Sequence, residues 1–195
     1  MKKHLRWAIP LGLIIIVGMN AMGSYNGFVD AEERVGGLWA DVETQYQRRF
    51  DLIPNLVATV QGVADFEKST LVEVTQARAS AMQAMQQVGE GGSVADFDQK
   101  NMVFGSALRG MLGYSEQYPE LKANQNFMDL QHQLEGTENR VAVARRDFND
   151  GVKGYNSQVR KIPGSFWAGM LGFEKKEYFE AAVAAAEAPK VSFGE

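Results

Sequence analysis

Phe127, Leu134, Val141, Phe148, Tyr155 and Ile162 fall seven residues apart without a break. Between them, Leu130, Thr137, Ala144, Val152 and Val159 complete an apolar or small seam at three- and four-residue steps. A stripe of that period can face only one way on a helix, and a strict repeat of seven drives left-handed packing against other helices. The expected fold is therefore all-α: a long antiparallel bundle of the four-helix type. The stripe constrains architecture far more than chemistry.

The amino-terminal residues predict how that bundle is held. Met1 to Arg6 is basic, and Trp7 to Met22 reads WAIPLGLIIIVGMNAM, where only Asn20 is strongly polar. Extended to Tyr25, the run approaches the roughly 20 residues that a membrane-spanning helix needs, with Trp7 and Tyr25 as bracketing aromatics. The rival reading is a cleaved signal peptide with a weak site at Ala21-Met22-Gly23. A transmembrane anchor is favoured because helical periodicity resumes directly after the run. Positive charge precedes it, and Asp30, Glu32, Glu33 and Arg34 beyond it are net negative. The positive-inside rule then leaves residues 1–6 as a cytoplasmic tail, 7–25 as the anchor and 26–188 as an exported helical domain, followed by an extended tail over 189–195.

The 195 residues suffice for one domain with a sizeable core. The absence of cysteine excludes disulfides, thiolate metal sites and a cysteine nucleophile. Three of the 20 Lys and Arg (Lys2, Lys3 and Arg6) precede the apolar run. The rest of the chain thus carries 17 against 24 Asp and Glu, a net −7. So acidic a body is a poor nucleic-acid binder, which needs a basic face.

Phe28, Val35 and Val42 continue the sevenfold spacing, with Leu38 in register, so a first helix should grow out of the anchor and break or kink at Pro54. A second helix carries a seam at Val60, Val63, Glu67, Leu71, Val74, Arg78, Ala81, Met85 and Val88. Gly89-Glu90-Gly91-Gly92-Ser93 reads as a turn; it follows a helix and lacks the Gly-Lys-Ser/Thr ending of a phosphate loop. A weaker third helix runs from about Val94 to Gln117, where Gly105, Gly110 and Gly113 either permit close helix approach or simply lower stability. Pro119 opens the fourth helix, and Pro163-Gly164 closes it. An apolar turn and a short alanine-rich helix complete the domain to Ala188.

Candidate chemistry is sparse. Asp129-x-x-His132 is a single copy of a pattern that dinuclear metal bundles need twice, and a solvated surface pair explains it better. One histidine in the body cannot build a nucleophile–base–orienter set, so neither an enzyme nor a cofactor is expected. Three charges fall on seams: Arg49, Glu67 and Arg78. A seam charge is costly unless paired, so an ion network with Glu135, Glu138 and Arg145 across the bundle is expected. The apolar segment with Phe166, Trp167, Met170, Leu171 and Phe173 lies between Arg160-Lys161 and Lys175-Lys176. An even number of antiparallel helices returns it to the anchor's end, where it suits a bilayer surface or another subunit. A cap over the bundle end fits the same pattern.

With these features in view, the chain resembles the LemA family. The matching stretches are Tyr25-Asn26, QRRFDLIPNLVATVQGVADFEKSTLVEVTQAR (47–78), YPELKANQNFMDLQHQLEGTENRVAVARRDFNDGVKGYNSQVRKIPGSFWAG (118–169), GFEKKEYFEA (172–181) and APKVSF (188–193). The tract around Gly105–Gly113 departs from any family motif. The resemblance implies a bacterial single-pass membrane protein with a long antiparallel helical bundle, and it carries over no catalytic residues. Arg49, Glu67 and Arg78 fall inside the matching stretch, which fits a structural role. The function expected is that of a non-enzymatic scaffold at the cell (inner) membrane. Its partners would be the lipid bilayer, an envelope protein or a second copy. A carboxylate-site metal enzyme and a cleaved, secreted binding module are the alternatives.

Overall fold

The computed structural model of the chain describes residues 2–62, 67–115 and 117–180. Among them every regular element is helical: α1 Lys2–Gln61, α2 Lys68–Gly89, α3 Val94–Ser115, α4 Pro119–Lys122, α5 Gln125–Arg160 and α6 Gly164–Leu171. The chain divides into two compact units, one from Met1–Asp51 with Gln131–Lys176 and one from Leu52–Leu130 with Glu177–Glu195.

In the first unit α1 and α5 pair antiparallel. Gly27 faces Gln158, and Leu38 presses on Gly151 so closely that a side-chain carbon there would collide with it. Trp39 packs edge-on against Phe148 at 5.7 Å between ring centres, and Arg49 reaches Glu138. Residue numbers rise along α1 as they fall along α5, as one continuous seam requires. The seam is the expected one: Phe28, Val35 and Val42 are buried on α1, and Leu134, Val141, Phe148, Val152 and Tyr155 on α5. Burying such side chains contributes about 1.5–3 kcal/mol each for the larger ones and is the main source of helix pairing.

The stripe ends one step early. Ile162 is 91% exposed, because α5 stops at Arg160 and the next seam position falls in the turn beyond it. The chain then turns into α6, which closes on Gly172 in the left-handed conformation (φ 80°), a helix stop that glycine adopts without a side-chain penalty. The segment expected as an apolar turn is thus a two-turn helix.

The second unit contains the last turns of α1, the α2–α3 hairpin, α4, the head of α5 and residues 177–180. Gly91 (φ 94°) makes the hairpin turn, and the Gly92 N–H bonds the Gln87 carbonyl at 2.7 Å. The core draws on Leu71, Val74, Ala81 and Met85 of α2 and on Phe97, Phe104, Leu108 and Met111 of α3. Ser93 caps α3: its Oγ accepts from the N–H groups of Ala95 and Asp96, and its hydroxyl donates to Glu177 Oε2 at 2.8 Å. Ala95 also donates to that carboxylate, at 3.3 Å, and Phe179 packs edge-on against Phe97. The Ser93 and Ala95 hydrogen bonds hold the Glu177 carboxyl below its ordinary value. A depressed carboxyl stabilises the fold above its unfolded value, and that contribution is lost as pH falls through the folded one. Melting experiments from neutral pH down past pH 4.5, the ordinary value, should show an acid-dependent loss that Glu177→Gln diminishes. Parallel pH profiles for the two proteins would refute this role.

Several boundaries differ from expectation. Pro54 does not interrupt α1. Proline removes the bond from its own nitrogen to the Phe50 carbonyl and its ring crowds that carbonyl; burial of Phe50, Ile53, Leu56 and Val60 offsets the roughly 3 kcal/mol that the two effects cost. The second helix begins only at Lys68, and Val63 lies outside the described residues. The fourth helix is split: Pro119 starts the four-residue α4, and Asn124 accepts the Phe127 N–H at the start of α5. Gly110 and Gly113 face open space and Gly105 meets only the end of Arg109, so these glycines mediate no close approach. Residues 173–180 carry no regular structure, while the rest of the expected alanine-rich helix and the 189–195 tail lie outside the described residues.

Candidate functional site

Members of the expected ion network make the following contacts among the described residues. Arg49, 7% exposed, donates from Nη2 to Glu138 Oε2 at 2.8 Å and joins α1 to α5. One α1 turn away, Arg145 Nη1 approaches the hydroxyl of buried Tyr46 at 3.4 Å. Glu135 pairs instead with His132 on its own helix, both side chains in solvent. Glu67 requires a correction. It is exposed at the head of α2 and accepts from Ser69 at 2.7 Å, because the helix whose seam it was to occupy starts one residue later. Arg78 is half-buried on α2.

A denser set of contacts lies where α5 ends beside α1. Trp167 Nε1–H donates to Asn20 Oδ1 at 2.9 Å. Phe173 packs edge-on against Tyr25 and at a tilt against Phe28, with ring centres 5.8 and 5.0 Å away. The Asn156 amide grips the backbone of Lys176 at both its N–H and its carbonyl, each at 2.9 Å. Lys176 Nζ then reaches Glu32 at 2.8 Å and lies 5.4 Å over the Tyr155 ring. Burial foremost, and then the negative charges of Glu32 and Glu174, push the Tyr155 hydroxyl above its ordinary value, so it stays neutral. Of the apolar segment, Trp167 and Phe173 are half-buried, whereas Phe166, Met170 and Leu171 are exposed.

Neither the Asn20–Trp167 bond nor the Asn156 clasp follows from hydrophobic periodicity. Asn20 did carry a signal, as the one strongly polar residue of the apolar run; Asn156 carried none. Alongside, an open groove of about 690 Å³ runs between the helices over Gly27, Ala31, Gly151 and Gly154, with Asp30, Arg34 and Asp150 on its rim. The contacts at this end of α5 tie one helix or segment to another.

One stretch of α1 near the N-terminus is long and apolar enough to cross a membrane, and its large side chains are turned outward: Ile14 is 66% exposed, Met19 72% and Met22 70%. The chain is thus a helical-bundle protein whose first helix contains a candidate membrane span. It belongs to the LemA family, whose match covers residues 38–193. Similar proteins include the magnetosome protein MamQ 2 of Paramagnetospirillum magneticum, 27% identical over 80% of this chain and 64% of its own length. MamQ of Magnetospirillum gryphiswaldense is 28% identical over the same shares. Protein LemA of Metamycoplasma hominis is 20% identical over 87% of this chain and 73% of its own. The match thus spans less than two thirds of the length of the MamQ relatives.

Proposed function

We propose that this protein is a single-pass, non-enzymatic scaffold of the bacterial cell envelope, with its N-terminus in the cytoplasm and its helical body exported to meet a protein partner or a second copy. The observation that carries this reading is the continuity of α1. The same helix supplies the outward-facing apolar run and, from Phe28 on, the buried seam. Two of the relatives are named as magnetosome proteins, and a role in a cellular structure rather than in catalysis is what is proposed here. An alkaline phosphatase fused after Glu195 should be active, and a reporter that works only in the cytoplasm should be silent at the same point. The opposite pattern would reverse the topology. Crosslinking in native membranes should then capture the partner or a homo-oligomer.

A further inference from the structure

The chain returns to the height of its own apolar run. Gly164 sits against the Phe28 ring, Trp167 is bonded to Asn20, and Phe173 packs back on Tyr25 and Phe28. From Phe28 to Asn20 is eight residues, about 12 Å along the α1 axis. The segment 164–173 therefore dips alongside α1 by that distance and comes back. Within the dip, Ala168 is buried and Trp167 half-buried against the protein, while Phe166 and Met170 are 64% and 67% exposed. These two lie four residues apart on one helix face, with Leu171 beside them. Exposed basic residues, Arg160 and Lys161 before the dip and Lys175 after it, stand at its rim.

We infer that α6 is a second membrane-embedded element, an interfacial helix sunk into an anionic bilayer beside the anchor. The inference rests on the reading of the α1 run as a membrane span. A bilayer that covers Met19 and Met22 must reach the height of Asn20, and Trp167 is held at that height by a hydrogen bond. The outward face of α6 then meets acyl chains, which suits its composition, while Arg160, Lys161 and Lys175 reach lipid phosphates. The same bond answers a problem in α1. An asparagine amide in hydrocarbon is costly without a partner, and the indole N–H provides one. The face is continuous with the lipid-facing surface of the anchor, which is why lipid rather than a second copy is its occupant.

The chain has no cysteine, so single labels report cleanly. Full-length Met170→Cys, Ile14→Cys and Glu135→Cys, each carrying an environment-sensitive nitrobenzoxadiazole label, are reconstituted in phosphatidylcholine–phosphatidylglycerol vesicles with lipids spin-labelled near the headgroup or deep in the chain. Position 170 should be quenched several-fold more by the shallow spin label than by the deep one. Position 14 should favour the deep label, and position 135 should respond to neither. An unquenched position 170 with a quenched position 14 overturns the inference and leaves the anchor reading standing. A disulfide-linked dimer of unlabelled Met170→Cys in that case would identify a second copy as the occupant. If position 14 is unquenched as well, the anchor reading fails and the inference falls with it.

Discussion

Phe148→Ala is expected to lower the unfolding free energy by about 3–5 kcal/mol, the range for deleting a buried phenylalanine whose surroundings cannot collapse. Phe148 is 3% exposed and lies edge-on to Trp39 of the opposing helix, so truncation opens a void and also removes an aromatic pair. The neighbouring turn cannot close the void, because Leu38 already presses on Gly151 there. Lys153→Ala, on the exposed face of the same helix, should change stability by about 0.5 kcal/mol or less. Denaturant unfolding of the full chain in detergent micelles measures both. Equal losses would mean that the buried face of α5 is misassigned.

Glu138→Gln is expected to cost about 1–3 kcal/mol, although Glu138 is itself 59% exposed. An exposed ion pair is ordinarily worth about 0–1 kcal/mol. Here the two partners are unequal: the Arg49 side chain is 9% exposed, and the substitution removes a full counter-charge 2.8 Å from a buried guanidinium. Adding Arg49→Met removes the guanidinium while keeping the buried stem, so the double variant should recover part of the loss. Strictly additive losses in the same unfolding experiment would show that the pair is a solvated contact with no bearing on the seam.

The difference between what could and could not be read from the sequence follows from how far each interaction reaches along the chain. Sevenfold spacing is a local signal that repeats, so Phe28, Val35 and Val42 and the stripe from Phe127 to Tyr155 were legible before any contact was known. Arg49 was legible for the same reason, as a charge in register with apolar neighbours. Glu67 had the same apparent register, yet the helix that would carry that seam starts only at Lys68, which leaves Glu67 at its N-cap position. Pro54 misled in the opposite direction: a local rule about one missing hydrogen bond yielded to burial on both sides of it. The contacts of the α6 region were the least legible. Asn20 and Trp167 are 147 residues apart, and a single hydrogen bond between them leaves no periodicity to detect.

Continuity of α1 has a mechanical consequence. Met22 and Phe28 are six residues apart, about 9 Å of uninterrupted helix, with no joint at which the seam could swivel relative to the apolar run. A glycine-serine tether would let a domain tumble through a broad volume above a membrane. A stiff rod instead transmits torque, so any rotation of the span about its axis turns the seam through the same angle. In a bilayer, the α1–α5 seam would sweep a plane at fixed height and tilt. An approaching molecule in that plane would meet a surface whose orientation is already restricted, so less rotational freedom remains to be lost on association.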